Sequence, residues 1–538
     1  MEREHPGKSV EVRVPPYAAI QCVAGARHTR GTPPAVVETD PETWVRLAAG
    51  DLSWAAARAA GRVRASGERS DLSMLLPIRA PNVIVMTTAD YREAVRRVLP
   101  SVRADLEDLV RIESVSADPS RAGEVDRSAR ATAKLFEESG CPDVSILSVP
   151  GGFPAVVARY PAPDGAPTVL LYAHHDVQPE GAREDWDSEP FVPTERGARL
   201  FGRGAADDKA GIAAHLAAIR AHGNSPPVGV TVFVEGEEEI GSPTLAAFLT
   251  AHADLLEADV IVIADSTNWD IGVPALTTSL RGVADCVVEV RTLDHGVHSG
   301  MWGGVVPDAL TVLSRLLATL HDADGSVAID GLGAGEASDL DYHEDRIRRE
   351  AGIVAGVELV GTGSAVQRMW AKPAVCVLAV DAPRVADASN TLIPSARAKV
   401  SLRIAPGDDA KSAMDALVQH LNTHADWGAQ VTVTPGDVGE PYAVDATGPA
   451  YDLARQAFEE AWGGVAPVDI GVGGSIPFIA AFADAFPAAA VIVSGVEDPD
   501  TRAHGANEGL HLAEFERACL AETLLLARVV DLGARSVP

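Results

Sequence analysis

The sequence predicts an α/β protein with three parts: a large domain on a mixed, mostly parallel sheet with helices on both faces, a smaller inserted α+β domain, and a small N-terminal α/β extension. Three observations carry this. From about residue 90 to 281, helical patterns alternate with the short apolar runs "TVLLYAHHDV", "VGVTVFVEGEEE" and "ADVIVIADS", as in a substantially parallel sheet. Residues 283–396 open on "ADCVVEVRTLD", carry the helix "VPDALTVLSRLLATLHDADG" and close on "PAVCVLAVDAP", which suits an insertion. The α/β pattern then resumes through "AKVSLRIAP", "AQVTVTPG" and "AAAVIVSGVEDPD". The expected divisions are 1–80, 86–282, 283–396 and 397–538.

The extension shows period-two alternation in "SVEVRV", a turn at "RGTPPAVV" and an Ala-rich helical run in "ETWVRLAAGDLSWAAARAAG". The stretch "RAPNVIVMTTADYREAVRRVLPSVRADLEDLVRIESV" then switches to a long amphipathic helix, with Met86 near its start as an alternative first residue of the enzyme. The 538 residues make room for roughly three or four domain-sized units. The net charge of -31 argues against a nucleic-acid or anionic-membrane partner. Five scattered cysteines offer no Cys-x-x-Cys zinc site and read as reduced thiols. The first residues lack a signal-peptide core, and no apolar run reaches membrane length, so the expected location is the cytoplasm.

Three predicted strands end in possible metal ligands. "VLLYAHHD" delivers His174, His175 and Asp176; "VTVFVEGEEE" delivers Glu235 and Glu237 to Glu239; "VIVIAD" delivers Asp265. In open α/β sheets the crevice beyond the strand carboxyl ends is where ligands bind, so these groups can converge. "LFGRGAADDKAG" presents Asp207 and Asp208 in a Gly-rich turn, and "VIVSGVEDPDTRAHGANEG" delivers His504. Imidazole with carboxylate and no thiolate suits catalytic zinc, manganese or cobalt. His174 and Asp176, two apart on a strand, can share a side, which lets the carboxylate orient the imidazole. Adjacent Glu238 and Glu239 diverge, so one can bind metal while the other faces water.

The segments "YAHHDVQPEG", "DWDSEPFVPTERGARLFGRGAADDKAG", "EGEEEIGS", "ADS", "DHGVHSG", "NTLIP" and "AHGANE" resemble, in order, a family of dizinc peptidases. That family includes carnosinase-like cytosolic dipeptidases, acetylornithine deacetylase and succinyl-diaminopimelate desuccinylase. "HHDVQP" and "GGSIPF" look most like its dipeptidase branch. The resemblance implies two Zn2+ per subunit, with Mn2+ or Co2+ as substitutes. One ion goes to His174 and Asp265 and the other to Glu239 and His504; Asp207 bridges them and Asp176 orients His174. Glu238 becomes the general base, while Glu235 and Glu237 are structural or solvated. His175 and Asp208 are the weaker candidates beside His174 and Asp207.

The resemblance also makes the insertion a dimerisation and lid domain. His298 of "DHGVHSG", rather than His295, would then reach across a homodimer to the partner's oxyanion. Arg403, Ser475 and Asn390 would hold the substrate, Arg403 and Ser475 at its terminal carboxylate. One departure stands out: Val472 occupies the position where carnosinase-like dipeptidases place an acid that receives the free amine. The expected function is therefore hydrolysis of dipeptides, with N-acyl-amino-acid deacylation as the rival. Residues 1–80 resemble part of a bacterial sterol-carrier-like domain, which would make lipid carriage a separate second activity.

Overall fold

The computed structural model describes residues 7–24, 35–49, 52–67, 69–76, 86–336, 338–473 and 477–535. The chain divides into two compact units, Met1–Thr87 and Thr88–Pro538. The junction "NVIV" lies outside the described residues.

In the first unit the strands Val10–Val14 and Ala35–Thr39 run parallel, flanked by Ala18–Cys22 and Val63–Ser66 in antiparallel pairing. Both central strands alternate between buried and half-buried positions, as the period-two reading requires. The Ala-rich helical run forms two helices, Pro41–Ala49 and Trp54–Ala59. Ser53 explains the break: its hydroxyl accepts from Ala56 N at 3.2 Å and starts a new helix. Val12, Val37, Leu47, Trp54 and Leu72 share the core of this unit.

Among the described residues, the second unit is built on a nine-stranded mixed sheet. At its centre Ala490–Val493, Val260–Ile263, Thr168–His174 and Gly229–Glu235 run parallel in that order. Ala155–Tyr160 and Asp143–Leu147 extend one side antiparallel, and Ala275–Leu280 with Val468–Val472 and Tyr442–Ala443 extends the other. Tyr172, Phe233, Phe248 and Phe482 pack together on one face. Helix Lys209–Ala221 is buried on nearly every side. His215 ties it to the sheet through the Tyr172 carbonyl, 3.0 Å from Nε2, and to helix Leu512–Arg535 through Glu522, 2.9 Å from Nδ1. The helix after Met86 forms as predicted, over Thr88–Val110.

A second, antiparallel sheet orders Ala374–Asp381, Ser395–Ile404, Gly282–Arg291 and Gln430–Gly439. Helices Ala309–Ala318 and Ala410–Thr423 cover one of its faces with Val312, Leu316, Met414 and Leu417. This corrects the expected division at 396/397. "AKVSLRIAP" and "AQVTVTPG" belong to the inserted sheet, because both pair with Gly282–Arg291; Val400 and Leu402 of the first are buried in its core, and Val431 and Val433 of the second pack partly buried against it. The chain returns to the large sheet only at Tyr442, beyond Gly439.

The division into two units generates a prediction. A shortened chain beginning at Met86 should fold, with a far-ultraviolet circular dichroism spectrum of a mixed α/β protein and a cooperative melt. Aggregation, or loss of cooperative melting, would show that the first unit is needed for the second to fold.

Candidate metal centre

Hydrogen-bonded parallel strands are stiff, so residues at their carboxyl ends are held in fixed relative positions. His174 ends its strand fully buried. Its Nδ1 donates to the Asp176 carbonyl at 3.1 Å and lies 3.4 Å from that residue's carboxylate. Nε2 is thereby turned to the crevice, where a proton or a cation can occupy it. There it meets Asp207 at 3.1 Å, Glu238 at 3.9 Å and Asp265 at 4.0 Å.

Asp207 uses both oxygens. Oδ1 faces His174, while Oδ2 lies 3.2 Å from Nε2 of His504. His504 in turn lies 3.4 Å from Glu239. Two sets, His174 with Asp207 and Glu239, and His174 with Glu238 and Asp265, each bring their donor atoms within 4.8 Å of one another. His504, Asp207 and Asp265 thus join the His174 and "GEEE" strand ends in one cluster. Its nitrogen and oxygen donors fit divalent cations.

Residues 170–528 match the family described as Peptidase family M20/M25/M40, and residues 1–78 match one described as Bacterial SCP ortholog. A cysteinylglycine-S-conjugate dipeptidase of Corynebacterium striatum is 34% identical over 428 residues, 78% of this chain and 94% of that protein. The chain belongs to peptidase family M20/M25/M40. The Cys-Gly metallodipeptidase DUG1 of Saccharomyces cerevisiae is 27% identical over 77% of this chain and 92% of its own. Solved structures of the yeast dipeptidase Dug1p and human carnosine dipeptidase 1 share the fold. Their TM-scores are 0.70 and 0.68 at 22% identity each, over 83% of this chain and 99% and 100% of theirs. This M20 peptidase is accordingly a hydrolase of the metallopeptidase class.

Its cluster is crowded with negative charge. Burial and the nearby Asp265 push Glu238 well above the usual carboxylate range. Burial, with Asp207 and Glu239, pushes Asp265 up to about 7 against the pull of His174. Burial and Asp207 also raise Glu239. Burial opposes the charge on Asp207, but hydrogen bonds from His174 and His504 outweigh it and hold that carboxyl below its usual range. Asp207 and Glu239 push His504 up to about 11. A crevice in which carboxylates raise one another in this way favours added positive charge.

The adjacent glutamates differ sharply in surroundings. Glu239 receives Gln178 N at 2.8 Å on one oxygen and Gln178 Nε2 at 2.7 Å on the other. Among the described residues, the Glu238 carboxylate makes no hydrogen bond; its nearest cationic neighbour is His174. Asp176 fixes both glutamates, accepting from Glu238 N at 3.2 Å and Glu239 N at 3.1 Å. The sequence offered Asp176 only as a partner of His174 and gave no sign of this hold on the two amides. Nor did it mark Gln178, whose only signal was its place in "HHDVQP".

The neighbouring candidates turn elsewhere. His175 donates from Nε2 to the Pro154 carbonyl at 2.8 Å, and burial pushes it down to about 4, so it is neutral. Asp208 accepts from His174 N at 3.3 Å. Glu237 is buried, accepting from Phe153 N, Thr244 N and the Thr244 hydroxyl. His298 is exposed and accepts from Gly300 N at 3.0 Å; no hydrogen bond or ion pair joins it to the cluster among the described residues. His295 is exposed beside Asp294.

Asn390 comes close to His298, because Val297 and His298 pair with Leu392 and Thr391, and the Asn390 carbonyl accepts from Ser299 N at 2.9 Å. Arg403 pairs across from Val283 and Ala374 on the sheet face away from the covering helices. Arg281, unmarked in the sequence, donates from Nε to the Gly473 carbonyl at 3.3 Å, and burial, with the nearby Arg403, pushes it down to about 10. Ser475 lies outside the described residues.

Glu235 yields a test by pH. It is buried, accepts from the Tyr172 hydroxyl at 2.8 Å, and burial pushes its carboxyl up to about 8. Its folded pKa exceeds the unfolded one, so between about pH 4.5 and 8 the native state holds a proton the unfolded chain has lost. Stability should fall as pH rises through that window and level off above it, by at most about 5 kcal/mol. Glu235→Gln keeps the acceptor and cannot ionise. Melting temperatures should match wild type near pH 5 and exceed it at pH 9; a constant difference would contradict the buried proton.

Proposed function

We propose that this M20 peptidase is a two-metal dipeptidase in which Glu238 is the general base and Glu239 a metal ligand. The contrast between the two glutamates carries the reading. Glu239 is braced at both oxygens and lies beside His504, whereas Glu238 has an unbraced carboxylate facing His174 and Asp265. His174 and Asp265 would hold one cation and Glu239 and His504 the other, with Asp207 placed to serve both and Asp176 beside His174. Zinc suits these donors, and manganese or cobalt can substitute.

Bound cations would polarise the scissile carbonyl and lower the pKa of water between them. Glu238, the unbraced carboxylate, would take the proton from the attacking water and return it to the leaving amine. Arg403, with Asn390 and Ser475, holds the substrate, Arg403 through bidentate bonds to a terminal carboxylate. His298 serves the partner subunit's oxyanion in a homodimer. Exposed Met301, Trp302 and Val305, just beyond His298, support a pairing surface there.

Relatives named for cysteinylglycine conjugates, Cys-Gly and β-Ala-His support short peptides as the substrate class. Val472 favours the second reading, N-acyl amino acids, because it supplies no acid for a free amine.

Two measurements test this. Chelation should abolish hydrolysis of a panel containing Cys-Gly, β-Ala-His and N-acetyl amino acids, and zinc, manganese or cobalt should restore it. Turnover on the dipeptides should exceed that on the N-acyl compounds; the reverse order would favour the deacylase. Glu238→Gln should keep its metal and lose about 10²–10⁴-fold in kcat. Loss of metal on that change alone would reverse the roles of Glu238 and Glu239.

A further inference from the structure

Two loops that carry ligands of the cluster, within 202–207 and 504–508, are some 300 positions apart in sequence and meet on one carboxylate. Glu508 is fully buried. Its Oε2 accepts from Arg203 Nη1 at 2.7 Å and Gly204 N at 3.0 Å. Its Oε1 accepts from Ala206 N at 2.9 Å and from the amide of Asp207 itself at 3.1 Å. All four partners are donors, so the group they surround is an ionised carboxylate acting only as acceptor.

Arg203 completes the clamp from the other side. Its Nη2 donates to the Gly505 carbonyl at 3.1 Å, and Gly202 N donates to the Glu508 carbonyl at 3.0 Å. Asn507 anchors the same loop outward, accepting from Asp187 N at 2.9 Å and donating to the Asp185 carbonyl at 3.0 Å. His504 and Asn507 hold positive φ of 62° and 61°, the left-handed turn conformation that Asn and His enter more readily than other side-chain-bearing residues.

We infer that Glu508, together with Arg203, is a positioning residue that sets the spacing of Asp207 and His504, and hence the affinity of the metal position those residues share with Glu239. The inference rests on the two-metal reading. Glu508 touches neither ligand atom. It holds the Asp207 backbone directly and His504 through the three residues between them. Partners of this kind change metal affinity by about 10–100-fold when removed.

The test uses the full chain. Glu508→Gln leaves the buried Arg203 charge uncompensated and can fail to fold, so the charge-balanced Arg203→Met/Glu508→Gln pair is measured beside it. Zinc affinity is read by competition with a chromophoric chelator, and the Co2+-loaded visible spectrum reports coordination at each position. Wild type should bind two ions. A folded variant should weaken the ion beside Glu239 and His504 by at least about tenfold, weaken the ion beside His174 and Asp265 less, and alter the cobalt spectrum.

A folded variant with two wild-type affinities and an unchanged cobalt spectrum would overturn the inference. If neither variant folds, amide exchange in demetallated wild type decides. Continued protection of Gly204, Ala206 and Asp207 supports the clamp, and exchange at unprotected loop rates overturns it. Wild type that binds fewer than two ions would instead remove the two-metal reading.

Discussion

Carboxylates gathered in a partly dry crevice repel one another and lose hydration at the same time, and neither cost is tolerable without positive charge nearby. Asp207, Glu238, Glu239 and Asp265 are in that position, with His174 and His504 among them. Much of the surrounding structure holds these groups together against that repulsion. Parallel strands fix His174 and the start of "GEEE", Asp176 pins two successive amides, and Gln178 braces Glu239. Such rigidity serves function, because a site that accepts cations without rearrangement spends little binding energy on ordering itself.

The same crowding separates two chemically identical neighbours. Glu238 and Glu239 differ in what surrounds each carboxylate, and one backbone step turns one toward Gln178 and His504 and the other toward His174 and Asp265. A braced oxygen suits a ligand, whereas an unbraced carboxylate suits proton transfer. Distinct environments around paired acids are how one site can hold both roles.

The cluster was legible in the sequence because its members sit where strand patterns end. His174, "GEEE" and Asp265 each close an apolar run, and the carboxyl ends of parallel strands converge by geometry. Asp176, two residues past His174, could be paired with it from strand periodicity, but its hold on the glutamate amides could not. Bonds to backbone N–H groups leave no side-chain pattern, which also hid Glu508. The boundary of the inserted sheet was misread for a related reason. Ser395–Ile404 alternates as any half-buried strand does, and only its partner, more than a hundred residues earlier in Gly282–Arg291, decides which sheet it joins. Ser53 could have divided the Ala-rich run in advance, since a serine before a helical repeat is a start signal.

The central claim is that this cluster is a paired cation site with Asp207 between the ions. Anomalous diffraction at the zinc edge, from crystals of the zinc-loaded protein, tests it most directly. The account predicts two peaks on opposite sides of the Asp207 carboxylate, one beside His174 and Asp265 and the other beside Glu239 and His504. A single peak, or two peaks with Glu238 rather than Glu239 as a ligand, would contradict it.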